Sequence, residues 1–191
     1  VVVVGGGFAR TYAAKELARH GVEVAIIDTN GYQTFQPMLY QAATGITAVS
    51  DIEYPLADIP KVEAIKDTVT SVDLANSKVT LTSGNTIEAD YIVVATGATV
   101  NFFGTTGAAE FAFPLYTSDD AVRIGQRGKQ LAESGENFSV AVIGAGATGV
   151  EISGAIIDTL YDLYPRTFPG FKRENVTVHI IDRGAAPLAH M

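Results

Sequence analysis

The sequence predicts an α/β protein with parallel sheets whose opening design is used twice. Three observations predict it. Residues 1–4, all valine, run into Gly5-Gly6-Gly7 and then into a helical pattern. A second strand–glycine–helix start at residues 140–149 lies over residues 1–10 at an offset of 139 positions. The strand after each helix ends on an acid, Asp28 in the first copy and Asp182 in the second. Self-similarity at one fixed offset is the mark of a repeated supersecondary unit.

Residues 1–4 read as a strand buried on both faces, because a short unbroken apolar run has no polar face to offer water. The helix predicted over 8–20 lines up Ala14 and Ala18, and Ala9, Ala13 and Leu17, opposite Thr11, Lys15 and Arg19, and Gly21 stops it. Residues 22–28 form the next strand, and a helix crossing between two strands makes them parallel. Residues 29–51 are irregular, yet Tyr32, Phe35, Pro37 and Tyr40 are too aromatic for a solvated loop, so the stretch is expected to lie against something.

Three stretches, 62–65, 69–72 and 78–82, are separated by turns at 73–76 and 83–85 and suggest short antiparallel strands. Residues 91–95 return to a buried strand that ends at Thr96-Gly97. Ser118, Asp119 and Asp120 open a helix to about residue 133, against the propensities of Gly125 and Gly128. After the second glycine turn the pattern gives a helix over 147–164, a connection with proline and aromatic residues, and a strand over 176–182.

With 47% apolar and 18% charged residues among 191, the composition is globular, and disorder and collagen-like repeats are excluded. Thirteen basic against twenty-one acidic residues give a net charge of −8, which leaves no cationic face for nucleic acid. No cysteine is present, so disulfides, thiolate zinc sites, cysteine-held iron–sulfur clusters and redox dithiols drop out. No run approaches the ~20 apolar residues of a spanning helix, and the expected setting is cytoplasmic. A start in mid-strand without Met and an end at Met191 suggest a fragment.

The two turns carry the chemistry. In a strand–turn–helix unit one glycine makes the turn, a second lets backbone approach a pyrophosphate, and a third lets helix and strand pack closely. The diphosphate rests on the helix N-terminus, where N–H groups and the dipole favour negative charge. The acid ending the second strand accepts hydrogen bonds from the adenosine ribose, the role open to Asp28 and Asp182. Gly144, Gly146 and Gly149 complete the pattern, whereas the first copy has Gly5, Gly7 and then Arg10. Arg10 shares a row with Ala14 and Ala18, so either the helix tilts or the guanidinium snorkels toward the phosphates. The plainer alternative, glycines that merely end strands, explains the turns but not the two aspartates. Asp182 would repel a ribose 2′-phosphate and so favours NADH over NADPH.

Two dinucleotide folds in tandem imply a flavin at the first and a nicotinamide at the second, with hydride passing between them. The expected fold is a Rossmann-like FAD-binding domain, residues 1–117, with a second Rossmann-like NAD-binding domain beginning at 118–191. Both are incomplete, and short antiparallel strands accompany them. The strand 91–95 with Ala95, Thr96 and Gly97 leaves room beside the first turn for a flavin diphosphate; an ordinary strand exit is the alternative.

The residues resemble the two-dinucleotide-fold flavoprotein oxidoreductases, and among them the type II NADH:quinone oxidoreductases. The resemblance runs through residues 1–9, Thr34-Phe35-Gln36-Pro37-Met38-Leu39-Tyr40-Gln41-Ala42-Ala43-Thr44-Gly45, Ala95-Thr96-Gly97-Ala98, Phe113-Pro114-Leu115-Tyr116-Thr117 and Gly146-Ala147-Thr148-Gly149-Val150-Glu151. It implies an NADH dehydrogenase of a respiratory chain, a flavoprotein that passes electrons from NADH through FAD to a quinone. Gly5, Gly7, Phe8, Asp28, Thr34, Ala95, Thr96 and Gly97 would contact FAD. Gly144, Gly146, Thr148, Gly149 and Asp182 would hold NADH. Glu151, in the first turn of its helix, would stand near the nicotinamide as the catalytic residue; a plain acid stabilised by a helix N-terminus is the equal alternative.

Disulfide reductases of the superfamily carry a cysteine pair after the second strand, where this chain has Gln36-Pro37-Met38-Leu39, so a dithiol or persulfide route is excluded for that segment. The resemblance also implies quinone-facing and membrane-anchoring parts beyond Met191. The stretch alone is therefore expected to be inactive, while the longer protein would sit peripherally on the inner face of the cell membrane, with a homodimer a further expectation. Two other readings stand beside it: an NADH-dependent ferredoxin or rubredoxin reductase, and a non-catalytic nucleotide-binding or sensing module.

His20, His179 and His190 have no metal-ligand spacing and are expected solvated or packed; no metal site is proposed. Ser139 and Ser153 lack a hydrolase elbow. Tyr161, Tyr164, Phe168 and Phe171 are expected in a core or an inter-domain contact.

Overall fold

The computed structural model describes residues 1–189; His190 lies outside the described residues. Packing divides the chain into two units, Val1–Phe35 with Glu53–Thr99, and Gln36–Ile52 with the chain from Val100 onward. The packing division thus falls elsewhere than the motif-drawn boundary between 117 and 118: residues 36–52 and 100–117 pack with the second unit.

The first unit contains Val2–Val4 (β1), Phe8–Arg19 (α1), Val24–Asp28 (β2), Tyr32–Thr34 (β3), Glu53–Pro55 (β4), Val62–Lys66 (β5), Val69–Asp73 (β6), Lys78–Leu81 (β7), Thr86–Glu88 (β8) and Ile92–Val94 (β9). Its main sheet runs β5-β2-β1-β9, all parallel. Strand period decides the layering. Val3 and Ile26 point to one face and pack on Ala14 and Ala18 of α1 with Leu56 and Ile59. Val2, Val4 and Ile27 point to the other face and pack on Val79 and Leu81 of the antiparallel β6-β7-β8 sheet. β1 is therefore covered on both sides, as its all-valine sequence requires.

α1 ends as expected. Gly21 takes φ 79°, a left-handed conformation that costs glycine nothing, and its N–H and that of Val22 bond back to Ala18 and Leu17. Residues 62–65 correct the sequence expectation. They form β5, which pairs parallel with β2, and only β6, β7 and β8 make the antiparallel set. An alternating pattern records one buried face and is silent on the direction of the partner strand.

The second unit contains a 3-10 turn at Gln36–Met38, Leu39–Thr44 (α2), Ala108–Phe111 (α3), Ser118–Ser134 (α4), Phe138–Ile143 (β10), Ala147–Asp158 (α5), Tyr164–Thr167 (α6) and Val176–Ile181 (β11). β10 and β11 pair in parallel from Phe138↔Val176 to Ile143↔Ile181. The helix expected over 147–164 extends to Thr167 through one π turn at Thr159–Leu163. Pro165 has no N–H for the ladder, which accounts for the irregular turn before it.

The aromatic stretch does lie against something: α2 packs on α4 and α5, and the Thr159 hydroxyl donates to the Thr44 carbonyl at 3.2 Å. α4 starts on a capping box, in which the Thr117 hydroxyl accepts from Asp120 N–H and the Asp120 carboxylate accepts from Thr117 N–H. Its glycines are contact residues. A Cβ on Gly125 would meet the Ala43 carbonyl at 3.2 Å, and one on Gly128 would meet the Tyr164 hydroxyl at 2.5 Å. Tyr164 is core, edge-on to Phe168 and Phe171 at 5.4 and 5.6 Å, and burial pushes its phenol pKa up. Tyr161 is exposed under the Arg173 guanidinium. Among the described residues no helix is long and apolar enough to cross a membrane.

A pair of substitutions separates contact from propensity. Gly125→Val is expected to lose about 1–3 kcal/mol by overpacking against α2. Gly154→Ala, with open space around it, is expected to gain about 0.5–1 kcal/mol from helix propensity. Urea denaturation followed by circular dichroism measures both.

Candidate functional site: two glycine cradles

The two glycine turns are built alike. Gly5 has φ 104° and Gly144 φ 106°, backbone that a side chain would strain. Gly5 N–H donates to Ile27 at 2.6 Å, and Gly144 N–H to Ile181 at 2.8 Å, which ties each turn to the neighbouring strand. The helix N-caps are Gly7 at φ −81°, ψ −176° and Gly146 at φ −74°, ψ −175°. Neither helix start is capped by a side chain. The first N–H groups of α1 and α5 are thus left to a ligand or to water.

The third glycine is where the copies part. A Cβ on Gly149 would be driven into the Gly144 carbonyl, with its carbon at 2.9 Å, so α5 rests backbone on backbone against the end of β10. Position 10 carries an arginine instead. Of the two sequence alternatives, tilt or snorkelling, the side chain does the second: a Cβ at Gly5 would meet Arg10 Cζ at 2.5 Å and Cδ at 2.8 Å, and one at Gly7 would meet Cζ and Nε at 3.2 Å. The guanidinium lies over the first turn. The second turn is open, with nothing within 4 Å of a Cβ added at Gly144 or Gly146.

Both strand-end acids reach the middle residue of their turn. The Asp28 carboxylate stands against Gly6, where a Cβ would meet its Cγ at 2.8 Å, and it accepts Asn30 N–H at 2.8 Å. Asp182 accepts Ala145 N–H at 2.8 Å and Gly184 N–H at 2.6 Å. These bonds orient each carboxylate at the end of its strand, beside its turn.

Other expected residues group around the first turn. The Val4↔Val94 pairing sets Ala95 beside Gly5, with Ala95 N–H toward the Val4 carbonyl at 3.4 Å, and Gly97 turns away at φ 80°. The chain leaves β1 toward β2 on one side and returns as β9 on the other. The carboxyl ends of β1 and β9 thus flank a topological switch point, the crevice where open α/β sheets bind ligands. Phe8 packs edge-on to Phe35 at 5.6 Å, and Thr34 lies in β3 nearby in sequence.

Around the second turn Thr148 is exposed at the start of α5, and Glu151 is exposed. Glu151 corrects an expectation. It is the fifth residue of α5, whose start at Ala147 is as expected, so it stands one residue beyond the first turn, within which the dipole's benefit fades.

Pattern reading missed two further groups. Thr11, buried in α1, donates to Gln33 Oε1 at 2.7 Å and fixes β3 beside the first turn. Gly6 is required by Asp28 rather than by a phosphate; the unbroken Gly5-Gly6-Gly7 run was its signal. His20 bonds its own helix through Nδ1 and the Glu16 carbonyl, and His179 is exposed in β11. The Ser153 hydroxyl donates to Gly149 within α5.

Judged by these cradles, the second fits a dinucleotide diphosphate, being glycine-framed, uncapped and unobstructed. The first has the same frame with its own cation in the space. Two glycine cradles on parallel sheets, each with a strand-end acid, define a protein with a duplicated Rossmann-like frame. Over residues 1–191 the chain matches the family described as Pyridine nucleotide-disulphide oxidoreductase, and it belongs to that family.

Among characterised relatives it is 32% identical over its full length to Type II NADH:quinone oxidoreductase Ndh of Mycobacterium tuberculosis, covering 45% of that protein. It is 30% identical over 85% of its length to Alternative NAD(P)H-ubiquinone oxidoreductase C1, chloroplastic/mitochondrial, of Arabidopsis thaliana, covering 36% of it. Among solved structures, NDH2 of Plasmodium falciparum in complex with NADH superposes with a TM-score of 0.88 at 21% identity, over 98% of this chain and 42% of that one. The sulfide:quinone oxidoreductase of Aquifex aeolicus gives 0.76 at 26% identity, over 95% and 42%. The chain spans less than half the length of each of these relatives.

The cradle geometry sets a stability contrast. Gly149→Ala is expected to cost about 1–3 kcal/mol, because its methyl forces α5 off Gly144. Gly146→Ala, at a negative φ in open space, is expected to stay within about 0.5 kcal/mol. Thermal denaturation of the two variants reads the difference.

Proposed function

We propose that this chain is the dinucleotide-binding portion of an FAD-dependent NADH dehydrogenase that delivers electrons to a quinone. Residues 1–117 serve as the FAD-binding domain, and residues 118–191 begin the NAD-binding domain. The observation that carries the reading is the duplicated cradle, matched in φ and ψ and ended by an acid in both copies. The curated relatives with NADH:quinone or NAD(P)H-ubiquinone oxidoreductase names support the choice of reaction.

In this reading the uncapped first turn of α5 and the Gly144–Gly146 backbone hold the NADH diphosphate. Thr148 adds a hydroxyl beside it, and Asp182 takes the adenosine ribose. Gly5, Gly7, Phe8, Asp28, Thr34 and Ala95, Thr96 and Gly97 form the flavin side. Bound FAD supplies a two-electron acceptor that releases electrons singly. Glu151, exposed and clear of the dipole's reach, is assigned to the nicotinamide end. Quinone access would come from a membrane surface on which the full-length protein sits peripherally, as a homodimer in its oligomeric form. One observation favours a second reading, a nucleotide-binding module without turnover: Arg10 lies where the flavin diphosphate would go.

Purified full-length protein supplied with FAD is expected to show an oxidised-flavin spectrum that NADH bleaches and a quinone restores. A colourless protein that binds nucleotide without electron transfer would favour the module, and restoration by a small carrier protein alone would replace the quinone. Asp182→Asn keeps an oxygen for Ala145 N–H while removing the charge. It is expected to improve NADPH relative to NADH by about tenfold, since like-charge placement costs on the order of kilocalories. Titration with each nucleotide measures the ratio.

A further inference from the structure

We propose that Arg10 is a built-in plug of the first cradle: its guanidinium holds the place of the flavin diphosphate, and flavin binds only by displacing it. The inference rests on the first turn being a flavin cradle.

Three observations converge. The guanidinium lies over both Gly5 and Gly7, on the backbone a diphosphate must reach. The same position in the second copy is Gly149, where no Cβ fits against Gly144, so the two copies differ at the residue that fronts the turn. The second cradle, otherwise equal in backbone, is open. The turn-forming glycines are thus kept while the one residue that fills the turn is an arginine.

The charge bears on how a diphosphate competes with the plug. A cation at a helix N-terminus meets the positive end of the dipole, whereas a diphosphate there meets N–H donors. Once displaced, the guanidinium sits on a flexible stem within reach of the anion it made way for. The consequence is a flavin that binds weakly and exchanges, unlike a permanently held one. Arg10 is then the affinity-determining residue of the site.

The test is flavin affinity, read by quenching of flavin fluorescence in the full-length protein, with melting temperature as a check on folding. Arg10→Gly restores the third glycine and is expected to lower the Kd for FAD at least tenfold. Arg10→Ala removes the guanidinium but keeps the Cβ and is expected to fall between wild type and Arg10→Gly; it decides the matter should the glycine variant fail to fold. NADH affinity at the second cradle is expected to be unchanged in both. Equal FAD affinity across the three proteins overturns the plug and leaves the flavin cradle standing. Weaker binding by both variants also overturns it, making Arg10 a ligand. No FAD binding by any of them, with NADH binding intact, overturns the flavin reading itself and the plug with it.

Discussion

The close seat of a helix N-terminus on the end of a parallel strand is the constraint on which the second cradle depends. In the second unit α5 meets Gly144 with no atom to spare at Gly149, and the turn between them exists only because Gly144 sits at φ 106°. That seat places N–H groups of the helix start together and leaves them without an internal cap. Everything a dinucleotide needs from the fold, a positive helix end, a bare backbone and an oriented carboxylate at the next strand, follows from those few residues.

The local design was legible wherever one residue type answers one local requirement. The all-valine β1, the stop of α1 at Gly21, and Asp28 and Asp182 at the strand ends are of this kind. What was not legible depends on partners distant in sequence. The alternation in 62–65 fits an antiparallel edge or a parallel one, and only pairing with β2 chooses. Gly125 and Gly128 count against a helix by propensity, yet α4 runs through both because they admit the Ala43 carbonyl and the Tyr164 hydroxyl. At the candidate site the glycine spacing located the start of α5 and Glu151 on it, whereas the path of the long Arg10 side chain over Gly5 and Gly7 is set by its surroundings and not by spacing.

The stretch most distinctive in sequence turns out to be a packing element. Leu39, Ala42, Ala43 and Thr44 are buried in a helix of six residues, closed by Gly45 at φ 78°, against α4 and α5. A helix so short has little stability of its own, so its side chains answer to the neighbours that hold it. This accounts for the small residues at 42–44, and it explains how a segment in the middle of the first unit's sequence belongs by contact to the second.

Arg10 is tolerated because the fold of the first unit does not hang on that position. The contact between α1 and its sheet is made by Ala14 and Ala18, fully or nearly fully buried against Val3, Ile26 and Leu56, while the other sheet face is closed by Val79 and Leu81. Position 10 lies a turn above that contact, half-exposed at the mouth of the cradle. A large cation there fills the turn without removing any apolar area from the core, so the residues that pack α1 and the one that fills its turn are different residues of one helix. In the second unit the two are joined at Gly149, where the residue that lets the helix sit is also the one that keeps the cradle clear. The duplicated frame has thus been filled in two ways, and the difference lies in a single side chain at the third glycine.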